Sequence, residues 1–425
     1  MERAVTEDII NYLLKNDLIS PQQHGFLSKR STLTNLLETM DDWTISVNNK
    51  QLQTAIYIDF SKAFDTVSHS KLLLKLNSYG IRGDLLSLIG DFLANRSQRT
   101  RVGNRLSSST TLTSGIVQGS CLGPLLFVIY INDVTRIFGE KTTAKLYADD
   151  LKLYSVVESQ LDSDQLQHCL DCLHDWAKTW QLTMSIKKCQ TINIGGRGSL
   201  RRALEAQFHI GNDILPCVES VADLGITVDC SLKFSLHISN IVRKAATRCY
   251  LIKKCFLSKN SDSLLRAFKT YVRPLLEYNS PVWSPHLLKD IDLIENVQRR
   301  FTKRLHGMFN LTYNERLIKL NIERLEARRL QTDTITAYKI IFGLIKCNNF
   351  FNLSDNAINT RGHKYKLLQP ICNNDTRKYC FASRAVRLWN NLPAETTNFT
   401  SIFAFKNSLI YSYFDKLCIG NSVFN

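Results

Sequence analysis

The sequence lacks the features that would mark it as secreted or membrane-spanning. Its N-terminus has no charged segment followed by an apolar run, so it does not resemble a signal peptide. The apolar run at 124–131 is far shorter than the roughly 20 residues that cross a bilayer, and it favours the start of a buried helix. The 12 cysteines are scattered without disulfide-framework spacing, which is typical of free thiols. We therefore expect an intracellular protein with no membrane association.

No paired zinc-finger or zinc-knuckle spacing occurs either. One cluster, His168, Cys169, Cys172 and His174, has metal-ligand chemistry. It falls within a helical pattern of apolar residues and lacks a second pair of cysteines, so we interpret it as part of a helix. The sequence also contains no evident repeat or low-complexity segment, and its 425 residues predict two or three structural units.

Acidic residues are few relative to basic ones. The 54 Lys and Arg residues against 38 Asp and Glu give a formal net charge of +16 and predict a polyanionic partner. A membrane surface is the alternative, but the chain has no lipid-anchor motif and no basic amphipathic terminus. Some of the basic residues form clusters in predicted helices, and such clusters bind phosphates without recognising a nucleotide sequence. The clusters comprise Arg243, Lys244 and Arg248; Lys253 and Lys254; and Arg299, Arg300, Lys303 and Arg304.

Two adjacent acids, Asp149 and Asp150, occupy the predicted tip of a β-hairpin. Like charges at one turn are unfavourable unless a cation or solvent offsets them, so the pair is either a solvated turn or part of a metal site. Upstream, the apolar run 53–58 ends abruptly at Asp59, which predicts a buried strand ending in a carboxylate. If this strand lay beside the hairpin, Asp59 and Asp149 would be able to share two divalent ions about 3.5–4 Å apart. Mg²⁺ suits such ligands.

Five ordered blocks make the chain resemble reverse transcriptases of non-LTR retrotransposons, closest to the jockey-like elements. Because the blocks occur in the family's order and span most of the chain, chance agreement is a poor explanation. The blocks are residues 58–65 (IDFSKAFD), 115–127 (GIVQGSCLGPLLF), 147–150 (YADD), 180–182 with 188–189, and the primer-grip block 223–225; residues 273–285 and 297–304 are similar to the family's thumb.

The resemblance implies roles for residues near the predicted carboxylates. Asp59 and Asp149 would bind metal, with Asp150 as a third acidic group and the Phe60 carbonyl as a backbone ligand. Lys188 would stabilise charge on the pyrophosphate leaving group or donate a proton to it.

The same resemblance implies substrate contacts. Phe64 would be the steric gate that excludes a ribose 2′-hydroxyl, and Gln118 and Gly119 would line the pocket under the nascent base pair. Each residue also has an ordinary interpretation: Phe64 as core, Gln118 and Gly119 as a turn, Lys188 as a surface charge. The full set of blocks favours the functional one. Nucleic-acid contacts are expected from Arg30, Leu224, Gly225, Arg243, Lys244, Arg299, Arg300, Lys303 and Arg304.

The implied fold is α+β, a right-hand polymerase with a mainly α-helical C-terminal region. We expect partial fingers at 1–52, a palm with an antiparallel sheet and residual fingers at 53–234, a helical thumb at 235–305 and a C-terminal region of unknown role at 306–425. Local patterns add helices at 68–79, 85–93 and 155–180, and a strand at 190–194. They also add a solvated glycine-rich loop at 195–199, and a strand pair formed by 208–210 and 224–228.

The implied function is that of an RNA-directed DNA polymerase using two Mg²⁺ ions, with Mn²⁺ as an alternative. Expected partners are a retroelement RNA template, a DNA primer or nicked target DNA, and deoxynucleoside triphosphates, in a nuclear and cytoplasmic ribonucleoprotein. The family usually has an endonuclease and further finger strands before the position of Met1, so we expect an N-terminally truncated chain and a partner chain supplying those parts. The competing hypothesis is an inactive nucleic-acid-binding relic that retains palm and thumb; a maturase-like splicing helper is a third.

Overall fold

The computed structural model describes residues 2–195, 207–256, 260–347, 350–354 and 362–418. The chain divides into two compact units, the first formed by residues 1–35 and 50–219 and the second by 36–49 and 220–425. The expected division into fingers, palm and thumb stays a prediction. The glycine-rich loop expected at 195–199 lies outside the described residues apart from Gly195, which ends a strand.

A four-stranded antiparallel sheet forms the centre of the first unit. The strands are β1 (Leu52–Ile58), β6 (Thr143–Tyr147), β7 (Asp150–Val156) and β8 (Gln190–Gly195). Their order in the sheet is β6-β7-β1-β8, so β1 has a neighbour on each side. The apolar composition predicted for β1 fits this inner position, because nearly all of its residues are buried.

Helices cover this sheet and share one hydrophobic core with it. The helix that contains the apolar run 124–131 is buried along almost its whole length, as its uniformly apolar sequence predicts. Leu166, Leu170 and Leu173 also reach this core, from the helix that contains the His/Cys cluster. The helices are α1 (Glu2–Lys15), α3 (His69–Ser78), α4 (Gly83–Leu93), α5 (Leu122–Ile131) and α6 (Gln160–Thr179). Helix α2 (Thr32–Asn48) is not part of this core, and most of its residues belong to the second unit.

An exposed two-stranded ribbon connects α4 to the loop before α5. It carries Arg99, Arg101 and Arg105, and the sequence has no acidic residue between Asp91 and Asp133. This ribbon is therefore strongly cationic. Its strands are β2 (Ser97–Gln98), β3 (Arg101–Val102), β4 (Arg105–Leu106) and β5 (Thr110–Thr111), with β2 paired to β5 and β3 to β4.

Two local predictions were wrong. Helix α6 begins at Gln160 and not at 155, because Ser155 and Val156 belong to β7 and a capping box of Ser159 with Asp162 starts the helix. The segments 208–210 and 224–228 do not pair with each other. Instead each region forms a local hairpin: β9 (His209–Ile210) pairs with β10 (Asp213–Ile214), and β11 (Ser220–Asp223) pairs with β12 (Ile226–Asp229).

Beyond the β11–β12 hairpin, the described part of the second unit is mainly helical, as expected for residues after 234. Its interior contains Trp283 and Trp389, together with a buried ion pair in which Arg384 Nε lies 2.7 Å from Asp333 Oδ2. The helices are α7 (Ser235–Cys255), α8 (Ser261–Tyr271), α9 (Arg273–Glu277), α10 (Ser280–Trp283), α11 (Leu288–Lys303), α12 (Tyr313–Leu320), α13 (Leu325–Ile341), α14 (Asp375–Tyr379), α15 (Phe381–Asn390), α16 (Ile402–Ser408) and α17 (Tyr411–Lys416).

The cysteines and the apolar segments were also compared with the sequence-based expectations. All 12 cysteines are free thiols. Helix α6 contains the His/Cys cluster, where Cys172 Sγ lies 3.6 Å from His168 Nε2. Among the described residues, no helix is long and apolar enough to span a bilayer.

Candidate active site

Asp59 follows the last residue of β1 and is held on both sides by main-chain contacts. The register of β1 against β7 pairs Ile58 with Leu151, which brings the end of β1 level with the β6–β7 turn, as predicted. The Asp59 carbonyl accepts a hydrogen bond from the Ser185 N–H at 2.7 Å, and its own N–H donates to Cys189 Sγ at 3.5 Å. Both faces of this backbone are therefore fixed by the segment that precedes β8.

The β6–β7 turn consists of Ala148 and Asp149. Tyr147 and Asp150 form the last pair of the ladder, so Asp150 belongs to β7 while Asp149 projects from the turn. Ala148 has a φ of 57°, the left-handed conformation that a tight hairpin turn requires. The hairpin tip predicted from the sequence is confirmed, with its two turn residues displaced by one position towards the N-terminus.

The charges of Asp59, Asp149 and Lys188 influence one another. Burial raises the pKa of Asp149, the negative charge of Asp59 raises it further, and Lys188 opposes both effects. Lys188 Nζ lies 3.2 and 3.4 Å from the two carboxylate oxygens of Asp59. The strand ends thus place two carboxylates and one ammonium group in a shared electrostatic environment.

This donor set fits a hard divalent cation in part. Two carboxylates whose charges oppose each other favour a positive ion, and the Lys188 ammonium already occupies the Asp59 oxygens. Within the described ranges, no three His, Cys, Asp or Glu side chains are close enough together to hold a metal. Asp150 is exposed, and Phe60 is buried at an isolated bridge to Met184. Their contribution as metal ligands stays a prediction.

Phe64 is held by aromatic contacts on two sides. Its ring stacks on Phe127 at a centroid distance of 4.2 Å and meets the edge of Phe26 at 6.2 Å. The ring is only partly buried, so one part of it remains accessible. The contacts with Phe127 and Phe26 confirm the core interpretation of Phe64, and the gate role stays a prediction.

Gln118 and Gly119 follow a loop that packs on the end of the first motif. Gln118 Nε2 donates to Asp65 Oδ1 at 2.8 Å, and a Cβ on Gly115 would lie 2.8 Å from the Asp65 carbonyl oxygen. Gly119 has a φ of 87°, but no protein atom lies within 4 Å of where its Cβ would be. Its backbone conformation, and not crowding by the protein, accounts for glycine there.

A cleft of about 960 Å³ in the first unit lies beside this loop. Its lining is largely polar and comes from the block 58–65, the block 115–127 and the base of the cationic ribbon. The lining includes Lys62, Asp65, His69, Arg96 and Gln118; Gly119 is not part of it.

The residues predicted to contact nucleic acid lie in several places. Arg30 donates to the Gln23 carbonyl at 3.2 Å and to the Pro21 carbonyl, so its guanidinium supports the backbone before α2. Leu224 and Gly225 form the β11–β12 turn with φ values of 43° and 86°. Tyr278 Oη donates to the Leu224 carbonyl at 3.1 Å and so fixes that turn.

Some of the basic residues in and next to α7 and α11 line a groove of about 250 Å³ in the second unit. Tyr250, Lys253, Arg300 and Arg304 contribute to it, and burial together with Arg304 lowers the pKa of Lys253. Arg299 differs from its neighbours because it pairs with Asp292 at 3.3 Å and lies over the Tyr313 ring. Arg243, Lys244 and Lys303 are exposed but do not line this groove.

Sequence reasoning missed several residues that shape the site. Asp65, within the first motif, anchors Gln118; Cys189 and Ser185 fix the Asp59 backbone; and Gln23 contacts the turn. These residues lie in or near the sequence blocks, which was the available signal. Their roles could be assigned only once the structure showed which loops contact each other.

Two carboxylates at adjoining ends of an antiparallel sheet, with a lysine beside them, form the kind of site that polymerising nucleotidyltransferases use. The chain belongs to the family described as reverse transcriptase (RNA-dependent DNA polymerase), whose model matches residues 2–228, more than half of the sequence. The right-hand polymerase fold and the resemblance stated above are thereby confirmed at the level of the family.

Curated relatives support the same assignment. The chain is 25% identical over 317 residues to the RNA-directed DNA polymerase from mobile element jockey of Drosophila melanogaster, covering 72% of this chain and 34% of the relative. It is 24% identical over 363 residues to the probable RNA-directed DNA polymerase from transposon BS of the same organism, covering 80% of this chain and 40% of the relative. The chain spans about a third of the length of the first of these relatives.

Among solved structures, apo telomerase from Candida tropicalis matches with a TM-score of 0.42 and 10% identity, over 75% of this chain and 53% of that one. The assignment to the family does not depend on this likeness.

Proposed function

We propose that this chain is the polymerase core of a non-LTR retrotransposon reverse transcriptase and adds deoxynucleotides to a primer 3′-hydroxyl on an RNA template. The main support is the placement of Asp149 beside Asp59 and Lys188 at the end of the palm sheet. Three segments that are distant in the sequence meet there. A solvated turn would not need its half-buried carboxylate, Asp149, to lie close enough to a second acid for their charges to interact.

In this proposal the primer hydroxyl attacks the α-phosphorus of the nucleotide, and pyrophosphate leaves. Asp59 and Asp149, with Asp150 and the Phe60 carbonyl, would hold two Mg²⁺ ions, or Mn²⁺, whose positive charge would offset that of the reacting phosphate. Lys188 would leave the Asp59 oxygens and donate to the pyrophosphate. Its side chain is 67% exposed, so it is free to move.

Two further residues would choose and place the nucleotide. The accessible part of the Phe64 ring would exclude a 2′-hydroxyl, and the stacked Phe127 would keep the ring from moving aside. Gln118, oriented by Asp65, would support the nascent base pair. The aromatic contacts matter because a gate discriminates only if it is rigid.

The proposed macromolecular partners are a retroelement RNA and a DNA primer or nicked target DNA. The net charge of +16, the cationic ribbon and the groove with Arg300 and Arg304 support binding to phosphate backbones. Tyr250, 63% exposed at that groove, offers a ring on which a base can stack. A nuclear and cytoplasmic ribonucleoprotein, with a partner chain supplying further finger or endonuclease parts, completes the proposal.

One observation favours the competing hypothesis of an inactive nucleic-acid-binding relic. In the part of the chain that the structure describes, only two carboxylates meet at the site, and no three-ligand group is assembled. A relic would bind RNA in a salt-sensitive manner but would incorporate no nucleotide.

Primer extension distinguishes the two hypotheses. The purified chain is mixed with an annealed RNA template and DNA primer, deoxynucleotides and Mg²⁺, alongside Asp149→Asn and the control Asp213→Asn, which changes an exposed acid on β10. The polymerase proposal predicts extension by the wild type and the control, and none by Asp149→Asn. Binding without extension by the wild type would support the relic, and equal extension by all three proteins would remove Asp149 from the mechanism.

A further inference from the structure

We infer that Gln23 is a positioning residue of the catalytic turn, because its buried amide holds the Ala148 peptide and thereby sets the position of the Asp149 carboxylate. This inference rests on the proposed function, since the turn is catalytic only if the chain polymerises. Gln23 is only 1% exposed, so its side chain does not contact substrate directly.

The turn needs an external partner. Ala148 adopts a left-handed φ of 57°, which is unfavourable for an L-residue with a Cβ, and its methyl group has no polar atom to stabilise the turn locally. The β6–β7 ladder ends at the Tyr147–Asp150 pair, so the Ala148 N–H has no partner across that ladder. A buried N–H of this kind must find one elsewhere.

The Gln23 side chain supplies that partner. Its Oε1 accepts hydrogen bonds from the Ala148 N–H at 3.0 Å and from the Gly25 N–H at 2.7 Å. Its Nε2 lies 3.5 Å from the Ala148 carbonyl oxygen, at the limit of a hydrogen bond. One amide thus contacts both polar groups of the residue that precedes Asp149.

The backbone around Gln23 holds this amide in place. Gln23 forms a parallel bridge with Leu146; the His24 N–H donates to the Leu146 carbonyl at 2.8 Å, and the Leu146 N–H donates to the Gln22 carbonyl at 3.0 Å. The segment before α2 therefore runs along the outer edge of β6. Since no other strand of the described residues pairs with that edge, this short pairing fixes Gln23 relative to the hairpin.

Gly25 allows the close approach. A Cβ at this position would lie 2.4 Å from the Ala148 nitrogen, inside any tolerated contact. Any other residue would push the segment away and lengthen the Gln23 hydrogen bonds. Gln23 and Gly25 thus each contact the Ala148 peptide, the first through its amide oxygen and the second by the close approach of its backbone.

A neutral amide of this length is required. Methionine has a similar length but neither accepts the two N–H groups nor donates. Glutamate keeps the acceptor oxygens but, when ionised, cannot donate and adds negative charge beside the peptide of Asp149. If the Ala148 peptide rotates, Asp149 moves with it, and a shift of about 1 Å in a catalytic group costs up to roughly a hundredfold in rate.

The test compares wild type, Gln23→Met and a matched control, Asn35→Ala, in the full chain. Asn35 Nδ2 donates to the Leu146 carbonyl at 3.1 Å, so the control removes a buried amide that contacts β6 of the same hairpin and not its turn. Hydrogen exchange reports on the amides at 146–150, and primer extension gives kcat and the Mg²⁺ concentration for half-maximal rate. For Gln23→Met we expect at least tenfold faster exchange at Ala148, kcat lower by at least tenfold, and a higher Mg²⁺ requirement. Template–primer affinity should stay within twofold.

Other outcomes separate the two proposals. Unchanged exchange at Ala148 in Gln23→Met, or equal losses in Asn35→Ala, would overturn the positioning role. Failure of the wild type to extend primers would instead reject the proposed function, and the exchange measurement would still decide whether Gln23 holds the turn. If Gln23→Met does not fold, Gln23→Glu takes its place: it retains the acceptor oxygen, so Ala148 should stay protected while kcat falls. Loss of that protection in a folded Gln23→Glu protein would contradict the inference.

Discussion

Lys188 Nζ lies 3.2 Å from Asp59 Oδ1 and 3.4 Å from Oδ2, although 129 residues separate the two side chains in the sequence. Lys188 is 67% exposed and Asp59 35%, so the pair contributes little to folding, on the order of 0–1 kcal/mol. The ion pair is therefore of little importance for stability, and the role proposed for Lys188 is chemical.

The first prediction concerns this lysine. Lys188→Gln removes the positive charge from the leaving-group side of the site, and we expect kcat to fall by about 10²–10³-fold, the typical cost of losing one charge-stabilising donor. The melting temperature should change by less than about 3 °C. Single-turnover extension and thermal unfolding measure the two effects. Lys187→Gln, which alters the neighbouring exposed lysine, is the matched control and should retain wild-type rates. A folded Lys188→Gln protein that extends primers at the wild-type rate would refute the assignment.

The second prediction tests the steric gate. In Phe64→Ala the space beside a nucleotide's 2′-carbon is no longer filled, so discrimination between deoxy- and ribonucleotides should fall by at least about tenfold, measured as the ratio of their kcat/KM values. Phe64→Tyr keeps the ring and should keep most of the selectivity. Phe26→Ala removes only the edge contact with Phe64 and is the control for loosened packing. Selectivity that survives Phe64→Ala would place the gate elsewhere.

The third prediction concerns the groove between α7 and α11. Arg300→Gln and Arg304→Gln should weaken template–primer binding, and each should lower the slope of log Kd against log salt by about one, because each loses one phosphate contact. Arg299→Gln is the matched control, since Asp292 and the Tyr313 ring already engage its guanidinium. Fluorescence anisotropy over a range of salt concentrations measures all three. If Arg299→Gln has the largest effect, the nucleic acid follows a different path.

The fourth prediction concerns Lys75, which is 3% exposed between α3, α5 and α6. Burial lowers its pKa to about 8, and the ion pair with Asp133 at 2.6 Å opposes that shift. Between pH 8 and about 10.5 the unfolded chain therefore binds more protons than the folded one, so the contribution of this residue to the free energy of unfolding rises with pH in that window. Below pH 8 the full cost of burying the charge applies.

Urea unfolding at pH 8 and pH 10 checks this prediction. The free energy of unfolding of the wild type should rise relative to that of Lys75→Met by roughly 2 kcal/mol, because the interval from pH 8 to pH 10 covers most of the range between the folded pKa of about 8 and the ordinary pKa of 10.5. The Trp180 ring, whose centroid lies 3.6 Å from Lys75 Nζ, favours the ammonium form and will reduce this difference. A difference that falls as pH rises would show that the ion pair and the aromatic rings outweigh burial.

The sequence determined the elements that carry the chemistry. The apolar run ending at Asp59 specified a buried strand, because apolar side chains are unfavourable in water. The YADD stretch specified a tight hairpin, although only one of its two acids, and not both as predicted, lies in the turn. Both are local signals, encoded within a few consecutive residues. The order of the blocks also indicated the family, which the comparison over residues 2–228 confirms.

Tertiary structure decided which of these segments meet. The pairing of β1 with β7 brought Asp59 level with the turn, and the loop before β8 brought Lys188 onto Asp59. The predicted pairing of 208–210 with 224–228 was wrong because patterns this short are compatible with several partner strands. Each segment instead pairs with a nearby strand, since closing a short loop has a lower entropic cost than closing a long one. The contact of Gln23 with Ala148 spans 125 residues. No local pattern specifies it, because a buried amide finds its partner only after the strands around it have packed.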